Sequence, residues 1–550
     1  MNRLLLGLVL GSVAISTLLA GSAPVRAAMG MVLSEDRTAS AIGAEILRDG
    51  GTAVDAAIAT AFALAVTFPS AGNIGGGGFL VYRPASGGSL AYDFREVAPP
   101  GSSPDMFLKN GQYDSNLHHL SHLSVGVPGT VAGLHLAWSE HGKLSWKRLV
   151  EPAIKLAREG FPISMDLARS LRSAAIPHFS RDGVAYEAGE TLKQPDLART
   201  LQRIASRGPQ GFYEGETAAL VEREMIANGG LVTREALKGY QAKKRSPIRG
   251  TYRGYEVTSM PPPSSGGTIL VQMLNVLEGY DLKSAGFGSA QAVHLIAETM
   301  RRGFADRAQH LGDPDFNAEM PIARLISKDY ARDLRRTINP TRASMSSPNS
   351  FSWRAESAET THISVVDQHR NAVALTYTLE YSYGSRIVVP GAGFLLNNEM
   401  GDFNAGRGLT TAEGLVGTDP NLAASGKRML SSMTPTILSK DGRIFMVTGT
   451  PGGRTIINTV LLTILNVVDF GMNAQEAVDA ARFHHQWLPD RIVYERRGLS
   501  PDTIASLTGK GHQLAEVANQ GAAEVIVVTD DGLLEGGVDR RKADGGAGVQ

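Results

Sequence analysis

The chain opens on an apolar block and then changes texture several times. Arg3 is followed by apolar residues from Leu4 to about Ala20 and then by small residues, the pattern of a secretory signal cut after Ala27 or Ala28. A retained transmembrane anchor is the competing reading, because the run is just long enough to span. The Gly, Ser and Thr inside it and its small-residue end favour removal. Residues 40–51 and 52–68 read as two helices. The second, "TAVDAAIATAFALAV", is Ala-rich and starts with Thr52 and Asp55, spaced as a capping box requires. A Gly-rich turn, "NIGGGG", enters a strand at Phe79, and "SLAYDFREVAPP" reads as a second strand closed by a Pro turn.

From about residue 145 to 341 the pattern is mostly helical. It is broken by "SMPPPSSGGTI" at 259–269, which cannot be helix. From Thr360 onward five short strand candidates follow: "TTHISVVD", "NAVALTYTLE", "SRIVVPG", "RIFMVTGT" and "AEVIVVTDDG". One strong helix, "RTIINTVLLTILNVVDFG", lies among them. The chain therefore reads as two intertwined halves, helical and then strand-rich. Between them "SMSSPNSFSWRAESAE" at 344–359 is polar and Ser-rich, an exposed connector. It runs straight into a core strand, as a cleavage site that frees a new N-terminus would.

Composition narrows the chemistry. The 54 basic and 54 acidic residues balance, with no charge-dense block, which argues against nucleic acid as a partner. Cysteine is absent from the 550 residues, so disulfides, Cys-ligated metal and a Cys nucleophile are excluded. There is no G-x-S-x-G, H-E-x-x-H or P-loop motif. The glycines at 75–78 precede a strand instead of following one, so they are not a dinucleotide fingerprint. They serve either close packing or a site. His118, His119, His122, His484 and His485 lack acidic or Cys partners at ligand spacing and read as surface or packing residues. No metal or organic cofactor is expected.

Thr360 is the remaining candidate. A Thr hydroxyl is a poor nucleophile unless a base takes its proton, and the nearest base is the residue's own amine if the chain is cut before it. An α-amino group, with a reference pKa of about 8, can take that proton near neutral pH. Alternation in "TTHISVVD" is equally what an ordinary strand would show.

Several long stretches carry a resemblance. "ETTHISVVD", "NAVALTYTLE", "GFLLNNEMGDF", "KRMLSSMTPTI", "TGTPGG" and "FHHQWLP", with "NIGGGGFLVYRP", "DFREVAP", "GVPGTVAGLH" and "MPPPSSGG" before them, closely resemble the γ-glutamyltransferase family of N-terminal nucleophile hydrolases. The resemblance implies an α+β fold, a four-layer αββα sandwich, and a precursor that cuts itself. Residues 28–359 would form a large subunit and residues 360–550 a small catalytic one, joined as a heterodimer. It implies that Thr360 is the nucleophile and that Thr378 hydrogen-bonds to it. Arg95 would grip the substrate α-carboxylate, helped by Ser431 and Ser432. Glu399 and Asp402 would hold the α-ammonium, and Gly452 and Gly453 would supply oxyanion donors. Each role suits its residue: a guanidinium fork fits a carboxylate, and glycine N–H groups can approach an oxyanion closely.

Two positions depart from the family pattern. Glu380 stands where many members have an Asn that contacts the α-amino end, and it makes that pocket more acidic. Glu413 falls in a lid-like segment where lidded bacterial members commonly carry Tyr. The expected activity is γ-glutamyl transfer from glutathione-like donors to water or to amino acid and peptide amines, in an exported enzyme. An acylase of the same fold and a non-maturing γ-glutamyl-binding protein are the alternatives. The acids Glu399 and Asp402 argue against the first, and the intact Thr360, Thr378, Gly452 and Gly453 against the second.

Overall fold

The computed structural model describes residues 22–346, 360–409, 411–412 and 417–550. Two seven-stranded sheets dominate. In chain order their strands are β1 (Val25–Ala27), β2 (Met31–Ser34), β3 (Gly77–Arg83), β4 (Leu90–Phe94), β5 (Lys243–Arg245), β6 (Ile248–Tyr252) and β7 (Tyr255–Ser259). Then come β8 (Thr361–Val366), β9 (Ala372–Thr378), β10 (Thr436–Lys440), β11 (Arg443–Gly449), β12 (Glu524–Val528), β13 (Leu534–Val538) and β14 (Gly546–Val549). One sheet runs β5-β4-β3-β9-β8-β2-β14 and the other β1-β13-β12-β11-β10-β7-β6. Strands from before and after residue 360 thus alternate within each sheet.

Three apolar layers stack the molecule. Helices α1 (Arg37–Arg48) and α2 (Ala53–Thr67) cover the outer face of the first sheet. Helices α3 (Gly266–Leu277), α4 (Ala290–His310) and α5 (Thr455–Val468) cover the outer face of the second. Phe79, Val81, Ala372, Ala374, Ile437, Val447 and Ile526 fill the space between the sheets. The result is the four-layer αββα sandwich. Period-two alternation decides which layer each side chain joins. In β9, Val373, Leu375 and Tyr377 face the helices while Ala372 and Ala374 face the other sheet. Both faces are buried, so these strands read as nearly continuous apolar runs. Every residue of α2 is buried, and its alanines permit that close approach. The Thr52–Asp55 capping box forms, with reciprocal bonds of 2.9 and 3.2 Å.

The glycines at 75–78 serve close packing at the head of β3. A Cβ on Gly76 would lie 2.0 Å from the Thr378 carbonyl oxygen, and one on Gly78 would lie 2.5 Å from that of Thr376. They therefore let β3 and its lead-in turn approach β9, whose last residue faces the site.

Some expectations are corrected. "SRIVVPG" is not a strand; it makes only an isolated bridge, Val388 to Leu395, and Val389 is buried in a loop. The stretch at 259–269 is not wholly non-helical, because α3 begins at Gly266. The middle of the chain also contributes β5, β6 and β7, which its helical texture hid. Val25–Ala27, on the leader side of the expected cut, pairs with residues 534–536 as an edge strand. The connector from 347 to 359 and Glu413 lie outside the described residues.

Candidate active site

Thr360 lies one residue before β8, at the edge of a small cavity. Its hydroxyl donates to Thr378 Oγ1 at 3.4 Å, and the Glu380 amide donates to the same oxygen at 3.0 Å. β8 and β9 pair from Thr361–Tyr377 onward, so the ladder itself brings the two threonines together. The chain just past Thr360 is fixed from a second side. Glu35, fully buried, accepts from the Thr361 hydroxyl and from the His362 amide at 3.1 Å. This carboxylate takes over where the β2–β8 ladder, which starts at Ile363–Ser34, has run out. Burial pushes the Glu35 carboxyl up to about 8, with the Thr361 hydrogen bond and Lys542 opposing.

Arg95, Thr360, Thr378, Glu380, Glu399, Asp402, Ser431, Ser432 and Gly453 line the cavity, with Met433 and Ile456. Of the residues expected at the site only Gly452 is set back from the lining. It precedes α5 with φ 136°, followed by Gly453 at φ 54°, conformations that L side chains rarely adopt. A Cβ at Gly452 would meet Thr455 Oγ1 at 2.5 Å, and that hydroxyl donates to the Gly452 carbonyl at 2.8 Å.

The charged end of the cavity is dense. Arg95 follows β4 and is fully buried; its guanidinium donates to Glu399 and to Asp402, and Glu96 lies 3.8 Å away. Burial alone would lower the Arg95 pKa, but Glu399, Asp402 and Glu96 outweigh it and hold the group raised. Burial pushes Glu96 up to about 7, against the pull of Arg95. It pushes Glu399 well above the usual carboxylate range, with Glu96, Asp402 and Glu380 adding to the effect. Glu380 has φ 80°, uncommon for a residue with a side chain. Asn398 donates to its carboxylate.

Some site residues were not legible in the sequence. Glu96 and Asn398 flank motif residues but carry no pattern of their own. His119 stacks on Tyr381 at 4.8 Å with its Nδ1 3.5 Å from Glu380, so it packs at the rim of the site. His484 and His485 are buried packing residues pushed down to about 4 by burial. Among the described residues no group of three potential ligands could hold a metal ion.

A family model described as Gamma-glutamyltranspeptidase matches residues 39–549. A glutathione hydrolase proenzyme of Escherichia coli is 48% identical over 534 residues, covering 95% of this chain and 92% of the relative. Among solved structures, a cephalosporin acylase from Bacillus halodurans superposes with a TM-score of 0.83 at 25% identity, over 96% of this chain and 97% of that one. The Helicobacter pylori gamma-glutamyltranspeptidase gives 0.55 at 44% identity, over 56% of this chain and 90% of that one.

Proposed function

The chain belongs to the gamma-glutamyltranspeptidase family, and from that premise we propose that it is an exported precursor that cuts itself between Glu359 and Thr360. The freed Thr360 then moves γ-glutamyl groups from glutathione-like donors to water or to an amine. The observation that carries this reading is the single cavity in which Thr360, Thr378, Arg95, Glu399 and Asp402 meet. It offers a nucleophile at one end and both charge signs at the other, as a γ-glutamyl group with its α-carboxylate and α-ammonium requires.

In maturation the Thr360 hydroxyl attacks the Glu359 carbonyl and the acyl group shifts from nitrogen to oxygen. Water hydrolyses the ester, leaving a Glu359 carboxylate and a Thr360 amine. The large subunit, residues 28–359, and the small one, 360–550, stay together as a heterodimer. In turnover the Thr360 amine takes the hydroxyl proton while Oγ1 attacks the donor γ-carbonyl. Gly452 and Gly453 N–H groups receive the oxyanion, aided by the N-terminus of α5. The amine returns its proton to the departing nitrogen and a γ-glutamyl ester remains. Water or an acceptor amine then attacks that ester, releasing glutamate or a new γ-glutamyl amide. Arg95, Ser431 and Ser432 serve the α-carboxylate, and Glu380, Glu399 and Asp402 the α-ammonium.

The leader pattern of residues 1–27, with Arg3, an apolar run and a small-residue end, supports export, and among the described residues no helix is long and apolar enough to cross a membrane. The likeness to a cephalosporin acylase keeps that alternative in view, but a glutaryl donor offers no ammonium to Glu399 and Asp402. The test is a denaturing gel joined to a γ-glutamyl anilide assay. Wild type should give two bands, the smaller beginning Thr-Thr-His, and release the aniline. Thr360→Ala should stay one inactive band, and any other new N-terminus sinks the proposal.

A further inference from the structure

The donor's α-carboxylate faces a charge problem. Among the described residues Arg95 is the one guanidinium that lines the cavity, while Glu380, Glu399 and Asp402 line it too and Glu96 lies just behind. The two forks of Arg95 already engage Glu399 and Asp402. An anion entering such a site needs positive potential from elsewhere. The structure holds a second guanidinium one hydroxyl away. Arg307 of α4 is 2% exposed. Its Nη2 donates to Ser432 Oγ at 2.9 Å and its Nε to Ser265 Oγ at 2.7 Å. Ser265 in turn donates its hydroxyl and its amide to the Ser431 carbonyl, at 2.6 and 2.8 Å. Arg307 thereby grips both serines of the cavity wall without lining the cavity itself.

We propose that Arg307 is a positioning residue for the donor's α-carboxylate, acting through Ser432. A hydroxyl has one proton and two lone pairs. With a lone pair of Ser432 held by the Arg307 N–H, the Ser432 proton is left to point into the cavity. The adjacent cation polarises that O–H, and a hydrogen bond from it to a carboxylate is charge-assisted. Ser432 thus extends the reach of a buried cation that never touches the donor. The inference rests on the γ-glutamyl reading and adds a second positive group to it.

The experiment compares two competitive inhibitors of matured enzyme. L-glutamate carries the α-carboxylate, whereas 4-aminobutanoate keeps the amine and the γ-carboxylate and lacks it. A hydrogen bond to a charged group justifies an expected rise of about tenfold in the glutamate inhibition constant for Arg307→Met. The 4-aminobutanoate constant should stay within about twofold, a smaller change than the loss of one neutral hydrogen bond. Arg307→Lys should recover part of the difference, because charge returns but the fork does not. A simple staple between α4 and the 431–432 segment would move both constants together, and that result overturns the proposal. So does a glutamate constant unchanged in Arg307→Met. If Arg307→Met yields no matured protein, Ser265→Ala, which frees the Nε anchor, is read by the same ratio; an unchanged ratio there also overturns it. A wild type that releases no aniline from a γ-glutamyl anilide would instead sink the underlying function.

Discussion

Arg95→Ala tests the charged end of the cavity most directly. The guanidinium is fully buried, forks onto Glu399 and Asp402, and has Glu96 at 3.8 Å. Truncation removes the cation from three carboxyls at once. Breaking one side of a buried ion pair costs roughly 3–5 kcal/mol of stability. Part of that cost is relieved by protonation, since burial already raises Glu96 to about 7 and pushes Glu399 well above the usual carboxylate range. The loss of stability should therefore be smallest near pH 6 and grow toward pH 9, as acids without their cation are forced to ionise. For catalysis, removing a buried charged partner of the donor costs about 2–5 kcal/mol. At 1.36 kcal/mol per decade that is roughly a 30- to 5,000-fold fall in kcat/KM. Arg95→Lys should restore part of it. The assay is initial-rate release from γ-glutamyl-p-nitroanilide on protein shown by gel to be cut, with thermal unfolding from pH 6 to 9. A matured Arg95→Ala whose kcat/KM stays within about fivefold of wild type, well short of the buried-pair cost, would refute the reasoning.

Thr378→Val removes the oxygen that accepts from both Thr360 and the Glu380 amide. Leaving those buried donors unmet costs about 1–3 kcal/mol, so kcat should fall at least several-fold in matured enzyme, with Thr378→Ser close to wild type. Gly76→Ala would place a Cβ 2.0 Å from the Thr378 carbonyl oxygen; overpacking of this kind costs about 1–3 kcal/mol, and both the melting temperature and kcat should drop. Glu35→Gln addresses pH. With its folded pKa raised from 4.5 to about 8, Glu35 contributes stability that is present in full below pH 4.5 and lost by about pH 8. At 1.36 kcal/mol per pH unit that loss is capped at about 5 kcal/mol. Denaturant midpoints of the Gln variant should consequently gain on wild type as pH rises from 5 to 8; a constant difference would contradict the assignment.

The sandwich's centre was legible because its strands are buried on both faces. β8, β9, β11 and β12 read as apolar runs with turn signals, and α5 as a long helical one. β5 and β6 are edge strands with exposed Lys244, Arg249 and Thr251. β5 is wholly basic, and β6 turns only Ile248 and Tyr252 to the core around Arg249, Gly250 and Thr251, too few apolar positions to stand out, so both were missed. "SRIVVPG" failed for the opposite reason: its Val389 is buried, but as a loop against the helical layer. At the site, motif stretches pointed to the lining residues through a family resemblance. The pairing of Arg95 with Glu399 spans 304 residues of chain, and that of Arg307 with Ser432 spans 125. No local pattern encodes such contacts. Glu35 likewise looks like one more acid before a helix, until the fold sets it against Thr361.

The alternation of strands across residue 360 has a further consequence. In the first sheet β3 is bonded to β9, β8 to β2, and β2 to β14, so the segments on either side of the proposed cut interleave three times within one hydrogen-bonded surface. The second sheet adds one such seam, β7 with β10; β1, which pairs with β13, belongs to the proposed signal and leaves with it. Two polypeptides woven in this way have no plane along which they can part. Separating them means dismantling both sheets, so subunits from differently labelled molecules should not exchange while either remains folded. Nor can the small chain hold β8 in place alone, since β2 and β3, the neighbours that enclose β8 and β9, come from the other chain. The weave must be finished while the polypeptide is still continuous, which makes the intact precursor its own assembly template.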